Sequence, residues 1–572
     1  MNSSFSARIK VISFFVVFLV VVIIVRLFLV QVVHGTEYSE NADRQYTTPT
    51  SNIFERGVIY FKKKNGELVG AGNTISGFKV AIVPKSIIDH ESVYTALSSI
   101  TKINYNSFIK SVNKKGDPYE EVANRISKEE ADQITALSLP GVSIYKEKWR
   151  FYPGGNLASH AIGFVAYNGD DLLGRYGIER FYNDVLSWGS SNLYVNFFAE
   201  VFSNINMAIF KNKSKDGDIV STIEPTVQSF LEKELQNIMG KYKAESAGGI
   251  IINPIDGSIY AMASSPSFNL NEFSKEKNPS MYANPIVERV FELGSTIKPL
   301  GMAAGIDAGV VTADTKYNDN GYVIVENKKI LNFDKKGRGS NISMQEVLNQ
   351  SLNTGMVFVM QKLGKEKFRD YMLGYGIENK TGIDIPNETP SLVANLHSPR
   401  TIEYATASFG QGIALTPIAA ARAFSTLANG GYLIKPHLVD EIRYRDGGSK
   451  KIEMDYSSAP RVISKDTSLE ITRMLVFLVD KALGGGAQKM EHYSIAAKTG
   501  TAQLAKEGGG GYYEDKHLHS FFGYFPAYDP KFLILLYTVN PRGASYASET
   551  VMPPFMETAK FLLNYYQVPP DR

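Results

Sequence analysis

Residues 247–266 read "AGGIIINPIDGSIYAMASSP", two apolar strand-like runs joined at Asp256-Gly257. Asp-Gly supplies the left-handed backbone that a tight antiparallel turn needs, so the stretch predicts a β-hairpin. Helical periodicity follows it over 343–350, 354–363, 417–428 and 466–482. Three further strand candidates close the chain: "SIAAKTGTAQLA" (494–505), "HSFFGYFPA" (519–527) and "KFLILLYTV" (531–539). "KEGGGGYYEDKH" (506–517) reads as a flexible hairpin loop, and "PPFMETAKFLLNYY" (553–566) as a final helix. Two strands, a block of helices, three strands and a helix predict an α+β domain, with a five-stranded antiparallel sheet covered by helices.

Upstream of the hairpin, "STIEPTVQSFLEKELQNIMGKY" (221–242) is a long helical pattern with Pro225 near its start. Residues 34–215 mix strand-like runs such as "GFKVAIVP" with charged helical ones such as "SKEEADQITAL", and are expected to form a separate α/β pedestal ahead of a domain spanning 216–572. A chain of 572 residues exceeds what one core serves, in agreement with more than one domain. In "NLYVNFFAEVFSNINMAIF" (192–210) polar residues recur every fourth position, the pattern of an amphipathic helix buried on its own domain or docked on a membrane or partner.

At the N-terminus, Arg8 and Lys10 precede an apolar run over residues 11–33, a length that suits a helix crossing a hydrocarbon core of about 30 Å. The basic flank places residues 1–10 in the cytoplasm and the bulk of the chain outside. The run is too long for a signal peptide and "QVVHGTEY" offers no Ala-x-Ala cleavage site, so an uncleaved single-pass anchor is expected. The net charge of +3 gives no electrostatic case for nucleic acid. With no cysteine, thiol nucleophiles, disulfides and thiolate metal sites are excluded. His517 and His519 share one face of a strand and read as strand residues rather than a metal site.

The chemistry turns on "FELGSTIKPL" (291–300), where Ser295 stands three residues before Lys298. Ser-x-x-Lys also occurs at Ser76, Ser99, Ser107, Ser111, Ser143 and Ser274, so the spacing alone selects nothing. Pro299 is the first discriminator: proline is tolerated only near a helix start, which pins that start close to Ser295. A serine there faces the positive end of the helix dipole, with Lys298 one turn on and its amine expected within reach of the hydroxyl. Two further motifs follow in order. "SLNTG" holds Ser351 and Asn353 between predicted helices; "AAKTGTAQ" holds Lys498, Thr499, Gly500 and Thr501 on a predicted strand. A second Lys-Thr-Gly, Lys380 to Gly382, sits among turn residues before Pro386.

The ordered trio resembles the penicillin-binding proteins, and more narrowly the class B monofunctional peptidoglycan D,D-transpeptidases, with division-type members favoured by chain length and the compact N-terminal module. "RFYPGGNLASHAIGFV" (150–165), "GRYGIERFYNDVL" (174–186) and "DIVSTIEPTVQ" (218–228) extend the resemblance over nearly the whole chain. Two departures stand out. Leu293 replaces the family's frequent proline before Gly294, and "RGVIYFKKKNG" (56–66) lacks its usual Asp-Arg.

The resemblance implies a serine acyltransferase without cofactor or metal. Ser295 would be the nucleophile, Lys298 the base and Ser351 a proton relay. Asn353, Lys498, Thr499, Gly500 and Thr501 would bind the substrate, Gly500 by letting it lie against the sheet edge. The N–H groups of Ser295 and Thr501 would form the oxyanion site. Burial and a second cation, Lys498, should lower the Lys298 pKa. Implied partners are peptidoglycan stem peptides, β-lactams, the cytoplasmic membrane, a glycosyltransferase of the SEDS family and other cell-wall machinery. The rival readings are a side-wall rather than septal enzyme, a D,D-carboxypeptidase, a β-lactamase, and a β-lactam sensor or scaffold without catalysis.

Overall fold

The computed structural model describes residues 55–188 except 170, and 216–572 except 457, 507 and 509, together with residues 18–20, 23 and 26. Those five N-terminal positions are helical; the rest of the proposed anchor (11–33) and all of the amphipathic segment (192–210) lie outside the described residues. Among the described residues, no helix is long and apolar enough to cross a membrane.

Strands β1 (Ile59–Lys62) and β2 (Leu68–Ile82) are followed by α1 (His90–Ser98), α2 (Tyr105–Val112), β3 (Glu120–Ile126), α3 (Lys128–Ala136) and β4 (Val142–Phe151). Next come β5 (Gly217–Ser221), α4 (Pro225–Tyr242), β6 (Ser246–Ile252), β7 (Ile259–Ser265), α5 (Lys298–Asp307), α6 (Met344–Asn349), α7 (Asn353–Leu363) and α8 (Pro417–Ala428). The chain closes with β8 (Val439–Tyr444), α9 (Lys465–Phe477), β9 (Ala496–Ala505), β10 (Tyr512–Phe525), β11 (Phe532–Val539) and α10 (Met552–Tyr565).

The packing separates two compact units. One takes in Ile75–Trp149; the other holds Arg56–Thr74 and Arg150–Arg572. The first has its own core, built on Val80, Ile82, Leu97, Phe108 and Ile126. Its helix α3 starts in a capping box, Ser127 with Glu130, which satisfies two N–H groups of the first turn. Two sets of contacts hold residues 56–74 and 150–188 in the second unit. β1 pairs in parallel with β5, which pairs antiparallel with β8, so residues 56–74 share a sheet with the catalytic part. Glu179 then accepts from Arg56 Nε and Arg150 Nε, each at 2.6 Å, in a fully buried ion cluster within the same unit.

The larger unit centres on a five-stranded sheet in the order β9–β10–β11–β6–β7, antiparallel throughout. The opening hairpin is β6–β7, turning through Asp256 and Gly257, whose φ is +85°. Neighbouring residues of β10 show why its strands are apolar on both sides: Phe521 meets Phe555 of α10, with ring centroids 4.5 Å apart, and Phe522 stacks on Phe424 of α8 at 4.0 Å. Helices lie on both faces, so the strands cannot alternate polar and apolar. One difference from the sequence reading concerns the glycine-rich loop. β10 begins at Tyr512, so "YYEDKH" belongs to the strand rather than to the loop.

Candidate active site

Ser295 does not open an α-helix directly. It sits in a 3₁₀ turn, Gly294–Ile297, which runs into α5 at Lys298, with Pro299 in the first turn. Proline there costs no hydrogen bond, because first-turn N–H groups have no intrahelical partner. The 3₁₀ turn is fixed from below through the Leu293 carbonyl, which accepts from Thr296 Oγ1 at 3.0 Å and from Ser520 Oγ of β10 at 2.8 Å.

Glycines let the backbones close around it. A Cβ on Gly500 would stand 2.3 Å from the Leu293 carbonyl oxygen and 2.4 Å from Ser520 Oγ. A Cβ on Gly410 would stand 2.0 Å from the carbonyl oxygen of Gly294. The resemblance gave Gly500 the role of clearing the sheet edge for substrate; its missing side chain also makes room for the nucleophile's own turn.

Lys298 is wholly buried, and its amine differs from expectation in its partners. Its Nζ donates to the Ser351 carbonyl (2.5 Å), Ser351 Oγ (3.1 Å) and Asn353 Oδ1 (2.8 Å). Among the described residues Ser295 Oγ accepts no hydrogen bond from it. Lys498, 2% exposed, donates to the same Ser351 Oγ at 3.1 Å and to the Thr499 carbonyl at 3.1 Å. Ser351 thus lies between two buried amines. It holds φ at +54°, a left-handed conformation that is sparse for serine and occurs where the surroundings over-determine the backbone.

Among the described residues no carboxylate bonds either lysine. Burial, and then the charge of Lys498, hold Lys298 well below the usual lysine value; burial lowers Lys498 to about 7. An amine at that value exchanges protons near neutral pH.

The turn carrying Ser351 and the start of α7 at Asn353 rest on a buried polar network that sequence patterns did not reveal. Asn353 Nδ2 donates to the Leu331 carbonyl at 2.9 Å. Thr354 Oγ1 donates to Asp319 at 2.8 Å, while the Thr354 N–H reaches Asn332 Oδ1 at 3.2 Å. Thr354 follows Asn353 directly in "SLNTG", which is the only local signal of that support. Glu292 was missed as well: it accepts from both Tyr512 OH (3.0 Å) and the Gly412 N–H (3.1 Å), tying the hairpin to the strand that leads to Ser295.

Strand β9 is at the sheet's edge, with Lys498 and Gly500 on the buried alternation and Thr499 and Thr501 half-buried. Thr501 Oγ1 accepts from the Ala547 N–H at 3.3 Å. The decoy Lys380-Thr381-Gly382 is no strand; its Thr381 and Gly382 N–H groups cradle the Glu388 carboxylate at 2.6 and 3.0 Å. His519 Nδ1 is bonded to Thr550 Oγ1 within the core, and no group of metal ligands occurs among the described residues.

Comparison with known proteins agrees with this geometry. Residues 247–557 match the penicillin binding protein transpeptidase domain, and residues 54–221 the penicillin-binding protein dimerisation domain. The chain is 31% identical to stage V sporulation protein D of Bacillus subtilis over 97% of this chain and 85% of that protein. It is 27% identical to peptidoglycan D,D-transpeptidase FtsI of Escherichia coli K12, over 76% of this chain and 70% of that protein. Penicillin binding protein 3 of Mycobacterium tuberculosis, in complex with aztreonam, shares the fold with a TM-score of 0.68 at 20% identity, covering 91% of this chain and 98% of that one.

Proposed function

The chain belongs to the class B penicillin-binding proteins, and on that premise we propose that it is a serine D,D-transpeptidase joining peptidoglycan stem peptides through an acyl-enzyme on Ser295. One observation carries the residue assignment. Two buried lysines without a counterion converge on Ser351, beside a half-exposed serine held in a rigid 3₁₀ turn.

Ser295 Oγ attacks the penultimate D-alanine carbonyl, and its proton passes to the neutral amine of Lys298. The carbonyl oxygen becomes an anion facing the N–H groups of Ser295 and Thr501. The C–N bond to the terminal D-alanine breaks as that nitrogen takes a proton through Ser351. An amine from a neighbouring stem then attacks the ester, surrenders its proton to the same base and frees the Ser295 hydroxyl. Asn353 holds the peptide backbone, while Lys498, Thr499 and Thr501 receive the terminal carboxylate. A β-lactam opens its ring on Ser295 in the same manner and leaves an ester that hydrolyses slowly.

Labelled penicillin applied to wild type and Ser295→Ala tests the acyl-enzyme, which predicts labelling of the first alone. Stem peptide with an amine acceptor separates the outcomes, since free D-alanine without amide product would make the enzyme a carboxypeptidase. Residues 11–33 anchor the chain, with 1–10 in the cytoplasm, 34–215 as pedestal and 216–572 as the outward-facing catalytic domain. Protease accessibility on intact cells checks that orientation. A septal role is supported only by the names of distant relatives, FtsI and the sporulation protein; the SEDS-family glycosyltransferase beside it is what the family resemblance implies. Depletion that yields round cells rather than filaments would assign it to the side wall.

A further inference from the structure

A basic hairpin borders the site beside Asn353. Tyr322–Val325 pairs antiparallel with Lys328–Leu331 across a two-residue turn, Glu326 and Asn327, both with left-handed φ (+45° and +63°). It is fixed to the catalytic residues: its Leu331 carbonyl accepts from Asn353, whose Oδ1 accepts from the Lys298 amine. Just beyond, Phe333 is 58% exposed and meets the ring of Tyr546, 51% exposed, edge to face with centroids 6.3 Å apart. Tyr546 precedes Ala547, the residue that donates to Thr501. The hairpin and its following turn therefore reach from the Asn353 wall of the cleft to the Thr501 wall.

The charge is lopsided. Residues 326–338 carry Lys328, Lys329, Lys335, Lys336 and Arg338 against Glu326 and Asp334. That is an excess of three, as large as the formal excess of the whole chain, +3. Both acids are already engaged: Glu326 caps the Thr401 N–H at 2.6 Å, and Asp334 pairs with Arg338 at 2.9 Å. All four lysines are exposed, and among the described residues none has an acidic partner. Lys329 lies 4.2 Å above the ring of Tyr322, and Ile324, on the same face, is 63% exposed. One such lysine is an ordinary solvated charge. Four of one sign, with apolar side chains between them, form a surface suited to an anionic chain that also has hydrocarbon to bury.

We propose that this ledge is the subsite for the acidic peptide of the acceptor strand, the one whose amine resolves the acyl-enzyme. The inference rests on the transpeptidase reading above. In that reading the donor occupies Asn353, Lys498, Thr499 and Thr501, which leaves the exposed lysines of the hairpin and its turn for the second peptide. Lysines screened within about 10 Å at 0.1 M salt act only on a chain that passes directly over them, as the acceptor must to reach Ser295.

The test uses the full-length protein and measures cross-link formation against acceptor concentration. One acceptor carries free side-chain carboxylates, and the other is the same peptide amidated. The carboxylated acceptor should half-saturate the wild type at a concentration about three- to tenfold lower, the scale of two exposed charge pairs. That advantage should vanish in the quadruple variant Lys328→Gln, Lys329→Gln, Lys335→Gln, Lys336→Gln, and at about 0.5 M salt. Thermal unfolding and penicillin labelling of Ser295 report whether the variant is folded, and loss of labelling in wild type would sink the transpeptidase reading instead. Equal half-saturation by the two acceptors overturns the proposal. So does an advantage confined to the acylation step, which would make the ledge a donor site. A variant that keeps its preference for the carboxylated acceptor but no longer binds vesicles of anionic phospholipid would assign the ledge to the membrane surface.

Discussion

Arg56 and Arg150 are as deeply buried as Lys298 and Lys498, yet only the arginines are given a counterion. Glu179 lies between the guanidinium groups and accepts from Arg56, Arg150 and, at 3.2 Å, Tyr152 OH. Burial alone would raise the Glu179 pKa; the charges of Arg150 and Arg56 outweigh it and hold the carboxyl below its usual range. Around the lysines, among the described residues, there are hydroxyl, amide and carbonyl oxygens but no carboxylate, so burial works unopposed and both amines lose protons more readily. Side-chain chemistry sharpens the contrast. A guanidinium stays charged in any protein, whereas an ammonium yields its proton when desolvated. The compensated cluster joins residues 56–74 to residues 150–188, and the uncompensated one is left reactive.

Replacing the reactive amine with a permanent cation breaks the contrast most severely. Lys298→Arg should slow acylation by labelled penicillin by about 10²–10⁴-fold, the usual range for losing a positioned base. Removing the counterion from the other cluster should act on stability alone. Glu179→Gln leaves two buried guanidinium groups unpaired and should cost about 3–5 kcal/mol, read by denaturant unfolding, while each folded molecule still acylates at the wild-type rate. A smaller effect is expected at Gly500→Ala. Its Cβ meets a backbone carbonyl, so the nucleophile's turn must shift; a displacement near 1 Å costs about 10²-fold in acylation, with about 1–3 kcal/mol lost to overpacking.

The mildest probe is pH. Acylation should fall as acid protonates the lysine pair, with a midpoint near the lowered Lys498 value of about 7, and the apparent pKa belongs to the pair rather than to one residue. Stability changes in the same direction with pH in both clusters but in separate windows. From about 7 up to the lysine value of 10.5, the unfolded chain holds more protons than the folded one, so stability rises with pH. Glu179 contributes stability above its unfolded value near 4.5, and that contribution is lost as pH falls through its lowered folded value. Unfolding midpoints measured across both windows, in wild type and Glu179→Gln, should show a shallower acid-side slope in the variant while the alkaline one persists.

Much of the catalytic domain could be read from sequence because its signals are local. Asp256-Gly257 marks its turn by backbone preference, Pro299 limits where α5 can start, and α7 and α8 follow their 3.6-residue period within a residue or two. What escaped depends on residues far apart in the chain. Glu179 gives no hint in its own neighbourhood that it will meet Arg56. The grip of Ser520 on the Leu293 carbonyl, and of Glu292 on Tyr512, appear only once β9 and β10 are folded beside the nucleophile. Lys298 shows the limit most directly. Spacing placed its amine near Ser295, but a buried ammonium takes the best acceptors within reach, and the strained Ser351 loop supplies three.

The turn bearing Ser295 is enclosed by backbone at Gly294, Gly410 and Gly500, each a position where a Cβ would meet a carbonyl oxygen within 3 Å. Every substitution of a glycine adds at least that one carbon, so selection has no small step available at these sites. A lineage under drug pressure would have to change reactivity from the periphery, through residues such as Tyr512 or Phe333 whose side chains can be altered by degrees. The floor beneath the nucleophile is in that sense an evolutionary fixed point, and variation around the cleft is where differences between strains should accumulate.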